Sequence, residues 1–203
     1  MMKLSTFSKL GLISVAIAPL MIACTATAET PNTKTDGGTE TKTETKSGWE
    51  TYTSSEGGFS IDMPGTPTPS EQSVPLPNGK SAPLKIVSID KKEIAYFVGH
   101  IDYPADVIDK SADPQKLLSN SIEGAVGAFD GKAGLQQKAT TVDGVPCRTF
   151  NTTGKVEGQD AQAEGVFCFE NNRLYEVFAL GEKSDKFAGE VKPFISSFKI
   201  TKS

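Results

Sequence analysis

The chain has 203 residues, 37% of them hydrophobic and 23% charged, with a formal net charge of −4. That length supplies one domain with a real core, and the composition excludes collagen-like, wholly disordered and multi-pass membrane classes. Only Arg148 and Arg173 among the 21 basic residues are arginine, so the chain lacks the positive footprint that nucleic-acid binding needs.

The first stretch carries targeting information. Lys3 and Lys9 form a basic start, and the 14 residues from Leu10 to Ala23 are apolar apart from Gly11, Ser14 and Pro19. A bilayer span needs roughly 20 such residues, so residues 1–23 read as a signal peptide. No Arg-Arg pair precedes them, which points to the general secretory route. The run ends in Leu20-Met21-Ile22-Ala23-Cys24. This resembles a bacterial lipobox, with Met21 where leucine is usual and Cys24 as the residue that is exposed by cleavage and acylated. The competing reading is cleavage after Ala26-Thr27-Ala28, which leaves a soluble periplasmic protein. Two or three acyl chains on Cys24 would anchor the protein stably where one would be marginal.

Cleavage before Cys24 removes Lys3 and Lys9 and takes the net charge from −4 to −6. Residues 24–47 then read as a disordered tether: nine of the 23 residues after Cys24 are threonine and none is large and apolar. Such a segment cannot bury enough surface to offset its ordering entropy. As a flexible coil it would hold the remainder about 25–30 Å from the membrane.

Residues 48–203 have globular composition and read as one domain without internal repeats. Trp49–Tyr52 and Phe59–Met63 alternate around a Ser-Ser-Glu-Gly-Gly turn, a first hairpin. Six of the twelve prolines fall between Pro64 and Pro83, which predicts irregular extended chain, with a short edge strand as the alternative. Leu84–Ile89 and Ile94–Ile101 form a second hairpin around Asp90–Glu93. Asp113-Pro114 is a helix start, followed by Leu117, Leu118, Ile122, Ala125, Val126 and Phe129 at helical spacing until Asp130-Gly131. Strands are expected at Leu135–Val142, Val145–Thr153, Gln162–Phe169 and Arg173–Leu180, the last after an Asn171-Asn172 turn. Ser184 is placed to cap a final helix carrying Phe187, Val191, Phe194, Ile195 and Phe198, with Pro193 expected to kink it or start a fresh turn.

Runs of antiparallel strand with two separate helices define an α+β class, with helices covering the sheet. The opening Trp49…Tyr52…Glu56-Gly57-Gly58-Phe59-Ser60-Ile61-Asp62-Met63-Pro64-Gly65-Thr66-Pro67 and the closing Phe187…Phe194-Ile195-Ser196-Ser197-Phe198 resemble PsbP-like proteins. The resemblance implies an antiparallel sheet sandwiched between helices, an α/β/α arrangement. That family includes the extrinsic photosystem II subunit and many bacterial envelope lipoproteins of unknown role. None of its metal-binding or partner-binding residues maps onto this sequence, and none is carried over.

With Cys24 acylated, two cysteines remain for an oxidising compartment. A hairpin turning at Glu157-Gly158 places Cys147 directly opposite Cys168, in a narrow non-hydrogen-bonded pair with Cα atoms about 4.5 Å apart. A structural staple is favoured over a redox pair, since no C-x-x-C or low-pKa setting is visible. A bulge or a longer turn would break the register and leave two small buried residues.

Other chemistry is thin. His100 stands alone on a predicted strand, without an identifiable nucleophile, orienting acid or metal-ligand partner, and reads as structural. Asp102, Asp106, Asp109 and Asp113 cluster before the first helix and are weak candidates for a cation site. The D-x-D-x-D-G spacing is missing, and turn and capping duties account for them without metal. The glycines form no phosphate cradle, and no cofactor or catalytic residue is expected. The reading is a non-catalytic, lipid-anchored envelope protein that binds or helps assemble a membrane-associated protein complex, with a photosynthetic-membrane partner entering only by analogy of fold. The alternative is a small-ligand or cation-binding module of the periplasm or thylakoid lumen. An enzyme would need a carboxylate pair or serine site that linear spacing does not reveal.

Overall fold

The computed structural model describes residues 43–44, 48–76, 78–108 and 113–201. The expected signal peptide, Cys24 and Asp109 lie outside these residues. The fold is α+β and consists of two antiparallel sheets and two α-helices. The strands are β1 (Thr43–Glu44), β2 (Glu50–Ser54), β3 (Phe59–Met63), β4 (Thr68–Pro75), β5 (Ser81–Lys91), β6 (Ile94–Asp102), β7 (Gln136–Val142), β8 (Val145–Val156), β9 (Gln159–Glu170), β10 (Arg173–Glu182) and β11 (Lys199–Ile200). The helices are α1 (Pro114–Gly127) and α2 (Phe187–Ser197). A seven-stranded sheet runs β4-β5-β6-β10-β9-β8-β7, and a four-stranded one runs β1-β2-β3-β11.

Alternation along the strands of the large sheet feeds two cores. Toward α1 point Ile101, Phe167, Leu174, Phe178 and Leu180, which meet Leu118, Ile122, Ala125 and Val126 of the helix. Toward the other side point Val98, Val166, Tyr175, Val177 and Ala179, which meet Phe59, Ile61 and Met63 of β3 and Phe187, Val191 and Phe194 of α2. The strand β10 is therefore buried on both faces, which is why its sequence reads as an almost continuous apolar run. The second layer is not helix alone, as the expected sandwich had it. The small sheet shares that face with α2, because α2 is only 11 residues long and about 16 Å at 1.5 Å per residue cannot cover seven strands at about 4.8 Å spacing.

Tight turns set the registers. Asp143-Gly144 and Glu157-Gly158 both have positive φ at each position, the conformation of type I′ turns that match strand twist. Lys92 and Asn171 also lie in the left-handed region. The β5–β6 connection is the two-residue turn Lys92-Glu93, shorter than expected, since Lys91 already pairs with Ile94. Across β8, β9 and β10, Gly165 lies between Phe150 and Phe178 in register. A side chain there would meet Val177 O at 2.4 Å and Phe150 Cε1 at 2.7 Å, so the Phe150 ring and the β10 chain occupy the space the glycine leaves.

Three expectations need correction. The proline-rich stretch forms an eight-residue strand, β4, at the edge of the large sheet, pairing only with β5. An edge position tolerates Pro69 and Pro75 because the missing N–H groups need no second partner. At the end of the expected tether, Thr43 and Glu44 pair with Thr51 and Glu50 of β2. Ser184 does not cap α2 through its side chain; its carbonyl accepts from Phe187 N at 3.3 Å, and Lys186 occupies the cap position. The same helix runs unbroken through Pro193, losing only the bond that residue 193 would have made to Gly189. By contrast, Asp113 caps α1 as expected, accepting from Gln115 N at 2.9 Å.

Candidate functional site

Five strands bring one row of side chains across the large sheet, near the end of β6 and the start of β10. Register aligns Lys85, His100, Tyr175, Cys168 and Cys147 on β5, β6, β10, β9 and β8. The two cysteines are fully buried, with sulfurs 2.02 Å apart, at bonding distance, and Cα atoms 4.0 Å apart. That short Cα separation is what a narrow pair provides.

The other end of the row is polar. Two residues along the strands, Arg173 lies opposite Asp102. Arg173 Nε and Nη2 donate to the two carboxylate oxygens of Asp102 at 2.6 and 2.7 Å, and Nη1 donates to the carbonyls of Glu56 and Gly57 at 3.0 and 2.8 Å. The guanidinium thus ties the β2–β3 turn of the small sheet to the end of the large one. Lys85 pairs with Glu56 across the same junction. The ion pairs act on proton affinities as expected: the Arg173 bonds hold Asp102 below the usual carboxylate range, and Lys85 does the same for Glu56. His100 is 5% exposed and packs edge-on against Phe59 at 6.2 Å. Burial, followed by the charge of Arg173, lowers its pKa. Burial raises the Tyr175 phenol. A cleft of about 500 Å³ lies beside this cluster, lined by Gly58, Asp102, Glu170, Asn171, Asn172, Arg173, Tyr175 and Thr201.

A second cleft, of about 510 Å³, opens where the small sheet, the β5–β6 turn and α2 meet. Trp49, Pro64, Tyr96 and Pro193 supply its apolar walls, and Asp62, Lys91 and Glu190 its charges. Trp49 meets Tyr96 edge-to-face at 5.8 Å, and Tyr96 meets Phe194 at 5.1 Å. Burial, with Glu190 nearby, pushes the Tyr96 phenol up to about 12.

Of the aspartates expected as weak cation ligands, Asp102 and Asp106, within the described residues, each meet a cation of the chain. Asp102 is spent on Arg173, and Asp106 lies 3.5 Å from Lys80. Among the described residues, no three His, Cys, Asp or Glu side chains gather as a metal site, and no helix is long and apolar enough to cross a membrane.

Solved structures are similar to this chain in fold. Cyanobacterial PsbP (CyanoP) from Synechocystis sp. PCC 6803 shares 15% identity at a TM-score of 0.46, over 75% of this chain and 92% of that one. Protein PA94, of unknown function, from Pseudomonas aeruginosa shares 11% identity at a TM-score of 0.39, over 71% and 89%. No protein-family model and no curated protein matches the sequence.

Sequence reasoning missed two features. The Arg173–Asp102 pair spans 71 residues, a separation that no local motif reports. Glu176 is the other: 3% exposed, it points toward α1 from the middle of β10, and its Oε1 has no hydrogen-bond partner. Burial raises its pKa to about 7. Its signal was present as the one carboxylate within the apolar run Leu174–Leu180.

Proposed function

We propose that the chain is a non-catalytic, lipid-anchored protein of the bacterial envelope that binds, or helps assemble, a membrane-associated protein complex. The observation that carries the non-catalytic reading is the state of the polar cluster at the end of β6 and β10. Arg173 spends its donors, and Asp102 both its oxygens, on contacts within the molecule, and His100 is buried edge-on against Phe59. A group that is to move protons or stabilise developing charge must face the substrate; these groups brace two sheets against each other. The signal-like start, the lipobox-like Cys24 and the threonine-rich stretch support an exported, anchored domain.

Crosslinking followed by affinity recovery from detergent-solubilised membranes tests this reading. A defined membrane-protein partner recovered in stoichiometric amount is the expected result; recovery of none under several crosslinking chemistries overturns it. The second reading, a small-ligand or cation-binding module, is favoured by the two clefts. Calorimetry with Ca²⁺, Mn²⁺ and Zn²⁺ separates the cation version, which predicts heat at or below millimolar metal.

A further inference from the structure

The Trp49 cleft has the makings of a recognition pocket rather than a surface dimple. Its volume of about 510 Å³ lies within the range of ligand-sized pockets, roughly 300–1,000 Å³. Its walls are held in place from both sides. Thr51 Oγ1 donates to Asp62 Oδ1 at 2.6 Å, and Asp62 N donates to Ser197 Oγ at 2.9 Å, which locks β3 to α2. Ser197 in turn donates to Phe194 O at 2.7 Å. The Asp62 carboxylate and the α2 backbone that carries Glu190 are therefore held relative to each other, which lowers the ordering cost of binding. On the α2 wall, nothing lies within 4 Å of where a Gly189 side chain would start, so that flank is open to an incoming group.

The chemistry selects the ligand. Two carboxylates against the single ammonium of Lys91 leave the cleft net negative, and the half-buried indole of Trp49, backed by the buried Tyr96 ring, forms the aromatic wall beside them. Aromatic faces and carboxylates together suit a planar cation, which stacks on one and pairs with the other. Arginine meets both demands, and its methylene stem suits walls made by Pro64 and Pro193; lysine offers only a compact, strongly hydrated charge. We propose that this cleft receives an arginine side chain of the protein partner, with its guanidinium between Trp49 and the carboxylates of Glu190 and Asp62. The inference rests on the partner-binding reading above and names the chemistry of the contact. Lys91, and the positive end of α2 near Glu190, oppose a cation, so one side chain alone binds weakly.

Trp49 is the sole tryptophan of the chain, so its fluorescence reports directly on the cleft. The full-length protein is titrated with N-acetyl-argininamide and with N-acetyl-citrullinamide, its neutral isostere, at constant ionic strength. The expected result is a saturable change with the arginine compound, half-complete in the millimolar range, and at least about tenfold weaker with citrulline. Glu190→Gln should weaken it about fivefold or more while leaving the emission maximum of the free protein unchanged. Linear change to about 50 mM, or equal response to both compounds, overturns the proposal. Crosslinking with Glu190→Gln separates this inference from the reading beneath it. A partner captured equally by wild type and variant removes the cleft as the docking point and leaves the envelope reading intact. Saturation by arginine with no partner captured does the reverse.

Discussion

Cys147 and Cys168 occupy directly opposed positions on β8 and β9, nine residue pairs from the closing pair Val156 and Gln159 of the Glu157-Gly158 turn. Their sulfurs are at bonding distance inside the core shared by the small sheet and α2. A bridge enclosing 20 residues is worth about 3 kcal/mol in the chain-entropy picture. The hairpin already closes most of that loop through its own ladder, so the measured effect should be smaller. Replacing both cysteines by serine is expected to cost about 1–3 kcal/mol in denaturant melts. Mass spectrometry after alkylation in denaturant, without reductant, should show neither thiol modified in exported protein. Free alkylation of both would show that no bridge forms. Denaturing conditions are essential, because fully buried thiols resist reagents whether bonded or not.

Arg173 is expected to matter more for stability than Asp102, although they share one ion pair. The Arg173 side chain is 25% exposed against 58% for Asp102, and it alone reaches the carbonyls of Glu56 and Gly57. Arg173→Ala should therefore cost about 2 kcal/mol, and Asp102→Asn under about 1, since asparagine keeps one acceptor. Hydrogen exchange gives the structural readout. Amides of the β2–β3 turn, Gly58 N among them, which donates to Ser54 O at 2.8 Å, should exchange faster in Arg173→Ala. Equal costs for the two variants, with unchanged exchange at the turn, would mean the guanidinium does not hold the small sheet.

What was legible in the sequence follows the range of the forces involved. Period-two alternation and turn chemistry located both early hairpins, and the Glu157-Gly158 turn fixed the Cys147–Cys168 register, because strand pairing beside a tight turn is a local property. Asp113-Pro114 marked α1 for the same reason. Strand β4 was hidden because the penalty on Pro69 and Pro75 depends on whether the strand lies at an edge, which only the assembled sheet determines. The polar cluster was misjudged for a similar cause. Asp102 reads as one of four aspartates in sequence, yet its partner is set by β6 lying beside β10. The acidic and aromatic cleft draws Trp49, Tyr96 and Glu190 from three distant segments, so no spacing announces it.

The proposed lipid anchor turns on one residue, Cys24. If it is acylated, mature protein should enter the detergent phase on phase separation, and Cys24→Ala should either remain uncleaved there or be diverted to cleavage after Ala28. N-terminal sequencing and phase partition read both outcomes. Wild-type protein found wholly in the aqueous phase and beginning at Glu29 would refute the anchor.

Glu176 gives the sharpest pH prediction. Its carboxyl sits 3% exposed on the central strand, between Gly99 and Phe167 in register. Neither neighbour carries a charge, and the apolar face of α1 offers Leu118 and Ile122. The half-buried Tyr103 is the titratable group that feels it, and its phenol is driven upward by burial and by Glu176. Burial alone raises Glu176 from 4.5 to about 7, so the folded state keeps a proton that the unfolded chain releases near pH 4.5. The sign follows: the contribution is fully present below pH 4.5, is lost between about 4.5 and 7, and is constant above. The loss is on the order of 3 kcal/mol, at about 1.4 kcal/mol for each pH unit between the two values. Glu176→Gln keeps the shape and the polar burden of the protonated acid but cannot ionise. It should match wild type at pH 4 and exceed it by roughly 2–3 kcal/mol at pH 8 in urea melts. The difference between the two proteins isolates Glu176 from Asp102 and Glu56, whose lowered pKa values act in the opposite direction in both. A difference independent of pH would show that Glu176 ionises in the folded protein as readily as it does unfolded.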